Sequence, residues 1–220
     1  MPELDFQVEG AEPTPYAASP MIALKLRVSQ VKEADAPLAK IHSVALQCQI
    51  RLEPGRRRYS PAEQEKLVEL FGEPKRWGQT VRSTLWVNAS VVVPGFVEQA
   101  RVDLPVVCTY DFNIATTKYF YALEDGEVPL CLLFSGTIFY AGPESALQIE
   151  QISWEKETSF RLKVQVWKQM MEMYYPNSAW LNLRRDVFDQ LYRYKMARGL
   201  PTWEQALQSL LTAAKEGAPT

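Results

Sequence analysis

Three consecutive arginines, Arg56, Arg57 and Arg58, follow a proline-glycine turn signal. Their planar guanidinium groups can bind a carboxylate or a phosphate through two hydrogen bonds at once. Trp77 lies beyond the helix that follows the turn, and arginine and aromatic side chains are enriched in protein interfaces. The run is therefore either a solvated turn in which one arginine pairs with an acidic neighbour, or a patch that docks an anion or a partner. We take Arg56, Arg57, Arg58 and Trp77 as the candidate protein-binding residues.

Catalytic motifs are missing from the rest of the sequence. His42 is the single histidine, and its register with the dry face of a strand favours a hydrogen-bonded structural role. Ser135 precedes a glycine but lacks the flanking glycines of a nucleophile elbow, and no glycine-rich phosphate loop is present. The acidic cluster at 124–127 is too short for a calcium loop and predicts a solvated hairpin tip or an acidic docking knob. We therefore predict no catalytic residue, cofactor or metal; an enzyme with an unfamiliar carboxylate–arginine site is the less favoured alternative.

The cysteines indicate a reducing compartment. Cys48, Cys108 and Cys131 are 60 and 23 residues apart and form no C-x-x-C pair. Each lies in an apolar, strand-like run, so we expect three buried, reduced thiols that bind no metal. The first residues show neither the basic nor the apolar region of a signal peptide. These features predict a cytoplasmic protein.

Composition excludes several classes of protein. The 220 residues carry 24 lysines and arginines against 26 aspartates and glutamates, and 47% of the residues are hydrophobic. A dedicated nucleic-acid binder normally has a basic excess, so we predict no nucleic-acid partner. The apolar runs are shorter than the roughly 20 residues of a membrane helix, and we predict no membrane span. Whether the chain forms homo-oligomers is left open.

A two-residue alternation of apolar and polar side chains dominates the first three quarters of the chain. Segments 22–28 and 44–52 show it most clearly, and it is typical of antiparallel sheets with one wet face. Further strands are predicted at 106–114 and, as a short aromatic strand, at 118–123. Asp111 would lie within one of them, either on the wet face or buried with a cationic partner. About eight to ten strands predict an α+β protein built on an antiparallel β-sandwich.

Helices are predicted at one internal position and at the end of the chain. Ser60-Pro61-Ala62-Glu63 forms a capping box with proline at the first helical position, and Gly72 follows the predicted helix 60–71. Three apolar stripes with helical spacing follow at 166–174, 180–194 and 203–214. We therefore expect a sandwich with one inserted helix at 1–157 and a three-helix segment at 158–220 that packs on it as one structural domain.

Five segments together resemble an uncharacterised bacterial family associated with gene clusters of actinobacterial-type nickel–iron hydrogenases. They are 71–77 (FGEPKRW), 108–111 (CTYD), 118–120 (KYF), 123–130 (LEDGEVPL) and 134–140 (FSGTIFY). The resemblance covers nearly the whole chain and implies an accessory role in the assembly, maturation or support of a redox enzyme. Because the sequence lacks the cysteine and histidine ligands of a metal carrier, such a role would be protein binding.

The favoured function is thus that of a non-catalytic protein-binding adaptor, an accessory or assembly factor for a larger redox enzyme such as a hydrogenase. The alternative is a carrier of an apolar small molecule in a cavity between sheet and helices. Such a cavity would be lined by Tyr119, Tyr121, Met170 and Tyr174.

Overall fold

Two antiparallel sheets dominate the fold. The computed structural model describes residues 2–32, 37–109, 114–179 and 181–216, without the side chain of Glu144. Within these residues eight strands are present: β1 Leu4–Pro13, β2 Met21–Gln30, β3 Ile41–Leu52, β4 Thr84–Phe96, β5 Gln99–Val107, β6 Glu127–Ala141, β7 Leu147–Gln151 and β8 Glu157–Lys163. They confirm the predicted α+β fold with antiparallel sheets.

The strands divide into a three-stranded and a five-stranded sheet. The first has the order β1-β2-β5, and the second has the order β4-β3-β6-β7. β8 pairs with the first half of β6, and β7 pairs with its second half. Phe6 of β1 and Phe134 of β6 stack with ring centroids 4.3 Å apart, so the two sheets face each other across one core.

The alternation in β2 and β3 buries the side chains that the sequence predicts, but His42 is an exception. Ile22, Leu24 and Val44 are fully buried, whereas His42 is exposed. The pairing of β3 with β6 shifts register between Ile41 and Ser43. Because a one-residue shift moves side chains to the other face, the alternation that starts at Val44 does not extend back to His42.

Six α-helices lie within the described residues. They are α1 Pro61–Phe71, α2 Trp77–Thr80, α3 Ile114–Ala122, α4 Val164–Tyr174, α5 Arg185–Ala197 and α6 Trp203–Glu216. The predicted capping box is confirmed: the Glu63 N–H donates to Ser60 Oγ, and the Ser60 N–H donates to the Glu63 carboxylate. Gly72 follows α1 with a φ of 72°, a backbone conformation that glycine adopts without strain.

The predicted strand at 118–123 is wrong, because most of this segment belongs to α3. Aromatic residues favour strands locally, but Tyr119, Phe120 and Leu123 are all buried here. A helix with apolar side chains around most of its circumference is stable only when it is buried. Because this segment is buried, it forms a helix despite the local preference for a strand. Of the described residues in the strand predicted at 106–114, only the first two are in a strand, where they form the end of β5. Asp111 lies outside the described residues.

The first apolar stripe of the helical end is confirmed in α4, whose Val164, Trp167, Met170 and Met171 are buried. This helix packs against β1 and β2. Residues 1–177, which include α4, form one compact unit, and residues 178–220 form another.

The second unit contains α5 and α6. Phe188 of α5 and Trp203 of α6 bring their ring centroids within 5.1 Å, and the hydroxyls of Tyr194 and Ser209 lie 2.8 Å apart. Both helices were predicted, although α5 begins only at Arg185 and Trp180 lies outside the described residues. Docking of this second unit on the sandwich stays a prediction.

Candidate functional site

The arginine run forms the turn between β3 and α1. A 3-10 turn over Pro54–Arg56 follows β3, and the backbone becomes extended at Arg57. The side chain of Arg56 is 68% exposed and pairs with Glu53 at 2.8 Å. Arg58 is exposed, and its guanidinium group has no hydrogen-bond or ion-pair partner among the described residues. Arg56 and Arg58 thus present their side chains to solvent.

Arg57 points inward instead. Its side chain is only 8% exposed and forms an ion pair with Glu63 at 2.6 Å. The same guanidinium group donates to the carbonyl oxygens of Asp125 at 2.7 Å and Glu127 at 3.1 Å. It also lies over the ring of Tyr59, 5.4 Å from its centroid. Arg57 therefore fixes the turn to the start of β6.

Glu63 is the centre of this network. Its side chain is 4% exposed. Besides the Arg57 guanidinium, its carboxylate accepts the N–H of Ser60 at 3.0 Å and that of Glu124 at 2.9 Å. These bonds tie the first turn of α1 to the acidic segment 124–127, which the sequence predicted to be a solvated hairpin tip or an acidic docking knob. The segment is exposed, but it joins α3 to β6, so the predicted hairpin is wrong. Lys168 donates to the Glu124 carbonyl at 2.8 Å, so α4 is tied to the same segment.

Trp77 lies close to the arginine turn through Tyr59. Its indole ring contacts the rings of Tyr59 and Phe71 edge-on, each with a centroid distance of 5.3 Å. The indole N–H donates to the Gly72 carbonyl at 2.9 Å, which fixes the orientation of the half-buried ring. Since Tyr59 directly follows Arg58, the structure brings the two parts of the predicted patch to the same end of the sandwich.

Two phenols meet beneath the patch. The hydroxyls of Tyr59 and Tyr119 are 3.0 Å apart, and Tyr59 also donates to the Pro54 carbonyl at 2.8 Å. Burial raises the pKa of the Tyr59 hydroxyl to about 12 and raises the pKa of Tyr119 well above its usual range. Both phenols are therefore neutral near pH 7 and act as hydrogen-bonding groups.

Tyr119 also lines a cleft of about 400 Å³. It is bounded by the end of β3, the end of α1, the segment that joins α2 to β4, and the first turn of α3. Its lining residues are Leu52, Pro54, Leu70, Phe71, Thr80, Val81, Arg82, Thr84, Ala115, Thr116 and Tyr119. Of these lining residues, sequence reasoning named only Tyr119, as part of a carrier cavity, and it missed the site as a whole. A second local signal is Arg82, an arginine in a connecting segment, and such segments often carry binding residues.

Of the four residues predicted to line a carrier cavity, Tyr119 lines this cleft, whereas Tyr121, Met170 and Tyr174 make the packing contacts described next; the carrier function itself stays a prediction. Phe120 of α3 and Trp167 of α4 stack with centroids 5.1 Å apart, and Tyr121 contacts the same indole edge-on at 5.0 Å. Met170 is fully buried. Tyr174 donates to the Thr14 carbonyl at 2.7 Å and accepts the Ala17 N–H at 2.8 Å. These contacts join α3 to α4 and α4 to the N-terminal segment.

The three cysteines are free thiols, as expected. Cys48 and Cys108 are buried, and burial raises the pKa of each thiol to about 12. Cys131 is half-buried on the outer face of β6, which corrects the prediction that all three are buried. Across the described ranges, no group of three or more histidine, cysteine, aspartate or glutamate side chains could hold a metal ion.

The sequence predicts no membrane span, and the helices of the structure can be compared with that prediction. Among the residues that the structure describes, no helix combines the length and the apolar character that crossing a bilayer requires.

Comparison with known families gives a match over nearly the whole chain. A family model described as a family of unknown function, DUF6084, matches residues 1–219. The search of curated proteins gives no match.

Proposed function

From the premise that the chain belongs to the DUF6084 family of unknown function, we propose that it is a non-catalytic, protein-binding adaptor. Its docking surface is the arginine–tryptophan patch, which we define as Arg56, Arg58 and Trp77. Arg57, the fourth residue singled out in the sequence, supports this patch from below.

The observation that supports this proposal is the hydrogen bonding that holds Arg57, between the two exposed arginines of the turn. Arg57 is held by the Glu63 carboxylate and by two backbone carbonyls, so the residues on either side of it have a defined position. A surface that is ordered before binding loses less conformational entropy when a partner docks. Trp77, also fixed by a hydrogen bond, adds the kind of aromatic side chain that dominates binding energy in many interfaces.

The charge around the patch indicates the chemistry of the partner. Lys75 and Arg76, next to Trp77, are exposed, as is Arg58. Guanidinium groups pair with carboxylates in a two-point geometry, so the matching surface on the partner carries aspartate or glutamate side chains. The chain as a whole has a net charge of −2, so the cationic charge at the patch is local. An acidic partner would therefore be attracted to this patch and oriented by it.

The finer proposal is that the partner is a larger redox enzyme such as a nickel–iron hydrogenase, for which this protein is an accessory or assembly factor. It is supported by the resemblance of segments 71–77 and 123–130 to the family associated with hydrogenase gene clusters. Both segments lie at the patch: the first contains Trp77, and the second supplies the carbonyls that Arg57 binds.

Charge reversal of Arg58 tests the adaptor proposal. Tagged wild-type protein and the Arg58→Glu variant are purified from the native host, and the co-eluting proteins are quantified by mass spectrometry. We expect one or more partners to be lost from the variant while its melting temperature stays within about 2 °C of wild type, since a surface substitution costs about 0.5 kcal/mol or less.

Lys40→Glu is the matched control. It changes the net charge by the same amount, and Lys40 is also exposed. Lys40 directly precedes β3 whereas the patch follows it, and a strand of 12 residues separates the two by roughly 40 Å. The proposal fails if Arg58→Glu retains every partner of the wild type, or if Lys40→Glu loses the same partners to the same extent.

A further inference from the structure

The cleft beside the patch has walls that are fixed by hydrogen bonds. Arg51 of β3 donates to Ser83 twice, from Nε to the hydroxyl at 2.9 Å and from Nη2 to the carbonyl at 3.2 Å. These bonds hold the segment between α2 and β4 that forms one side of the cleft. Tyr119, another lining residue, is held by its hydroxyl contact with Tyr59. The cleft is thus a preformed feature of the first unit.

The lining of the cleft is mostly apolar, with a single charge. Of its apolar lining residues, Leu52 and Pro54 are buried, and Leu70, Phe71 and Val81 are half-buried. Of the eleven lining residues, Arg82 alone is charged, and no aspartate or glutamate lines the cleft. The Arg82 guanidinium is exposed and has no hydrogen-bond or ion-pair partner among the described residues.

Two of the hydroxyl groups that line the cleft already donate to backbone carbonyls. Thr80 Oγ1 donates to the Arg76 carbonyl at 3.1 Å, and Thr84 Oγ1 donates to the Arg82 carbonyl at 3.3 Å. Their protons are therefore engaged, and each oxygen is left as an acceptor. An anion in the cleft would be bound by the Arg82 guanidinium rather than by these two threonines.

We propose that this cleft binds a small monocarboxylate whose apolar or aromatic body lies against Leu70, Phe71 and Val81 and whose carboxylate pairs with Arg82. A volume of about 400 Å³ lies within the range of small-molecule sites. One guanidinium group balances the single charge of a carboxylate in a two-point pair, whereas it would leave part of the charge of a phosphate unpaired. A fully hydrated inorganic anion would make no favourable contact with the apolar residues that line the cleft.

This inference goes beyond the adaptor proposal and does not depend on it. Arg58, which carries the adaptor test, does not line the cleft, and Arg82 is not part of the arginine–tryptophan patch. A failure of one proposal therefore leaves the other standing.

The experiment compares two probes of nearly identical shape, 3-phenylpropionate and its neutral amide, 3-phenylpropanamide. Each is titrated into wild-type protein, and binding is followed through the methyl NMR signals of Leu70, Val81 and Ala115. The same titrations are repeated with Arg82→Gln, which removes the charge but keeps a polar side chain. Lys75→Gln is the control, because it removes a nearby exposed charge that does not line the cleft.

We expect saturable shifts at these methyl groups and a dissociation constant about fivefold lower for the acid than for the amide, since the pair with Arg82 is open to solvent. Arg82→Gln should abolish this preference, and Lys75→Gln should retain it. The inference is overturned by equal affinity of the two probes for wild type, by a preference that survives in Arg82→Gln, or by the absence of saturable shifts with the acid.

Discussion

Replacing Arg57 by methionine should destabilise the first unit by about 3 kcal/mol or more. The side chains of Arg57 and Glu63 are 8% and 4% exposed and lie 2.6 Å apart, so the substitution leaves a carboxylate buried without its counter-charge. Removal of one partner from a buried ion pair typically costs about 3–5 kcal/mol. The lower end applies here because the Glu63 carboxylate keeps the N–H donors of Ser60 and Glu124.

The assay is thermal unfolding of the full chain, followed by near-ultraviolet circular dichroism and by calorimetry. For a unit of this size, each kcal/mol corresponds to roughly 2–4 °C, so the expected fall in melting temperature is about 6–12 °C. Arg58→Met is the matched control, and it should change the melting temperature by less than about 2 °C. Residues 178–220 are identical in both variants, so the difference between them reports on the first unit.

Equal melting temperatures for Arg57→Met and Arg58→Met would refute the assignment of Arg57 as the support of the turn. A second measurement isolates the pair itself. In a double-mutant cycle, Glu63→Gln should cost much less in the Arg57→Met background than in wild type, because the two groups stabilise each other directly. Additive effects would show that the ion pair contributes little beyond the individual side chains.

Four further outcomes are expected. Ser60→Ala removes the side-chain acceptor at the start of α1 and should lower the free energy of unfolding by about 1 kcal/mol, measured by urea denaturation. Iodoacetamide at pH 8 should modify the half-buried Cys131 well before Cys108, whose pKa burial raises to about 12; peptide mass spectrometry gives the order, and faster labelling of Cys108 would contradict its burial. Burial raises the pKa of Tyr59 to about 12. The stability that the neutral phenol contributes is therefore fully present below pH 10 and is lost as the pH rises to about 12. Tyr59→Phe removes this ionisation and should shift alkaline unfolding upward in pH. Gly136→Ala should destabilise by about 3 kcal/mol or more in the same urea assay, because a Cβ there would lie 2.1 Å from the Ala45 carbonyl oxygen and φ is 139°.

The elements that local patterns specify were predictable from the sequence. Alternation in β2 and β3 identified the buried faces because a half-buried strand has a side-chain period of two. The capping box at Ser60 identified the start of α1 because both of its hydrogen bonds are made within four residues. In α3 the local preference of aromatic residues for strands opposed the burial imposed by the rest of the fold, and the prediction failed there.

The candidate site was only partly predictable, because the roles of its arginines depend on distant residues. Arg56, Arg57 and Arg58 are equivalent in the sequence. The backbone leaves the 3-10 turn at Arg57, which directs this side chain toward Glu63 and the carbonyls of residues 125 and 127. No local pattern indicates which of the three turns inward. The position of Arg82 at the proposed cleft also depends on a distant residue. Its segment is fixed by the hydrogen bond from Arg51 to Ser83, which lies 32 residues further along the chain.

Arg58 and Arg82 make the two proposed sites separable by experiment even though the sites share a cluster of rings. Phe71 lines the cleft and contacts Trp77 of the arginine–tryptophan patch, so truncation of either ring would disturb both sites. The two guanidinium groups have no such overlap: Arg58 lies at the turn before α1, and Arg82 lies at the cleft before β4. Substitution of Arg58 should therefore change partner binding without altering the affinity for 3-phenylpropionate, and substitution of Arg82 should have the opposite selectivity. If substitution of either arginine reduced partner binding and the affinity for 3-phenylpropionate equally, the cleft and the patch would form one continuous binding surface. The carboxylate that pairs with Arg82 would then be a side chain of the protein partner.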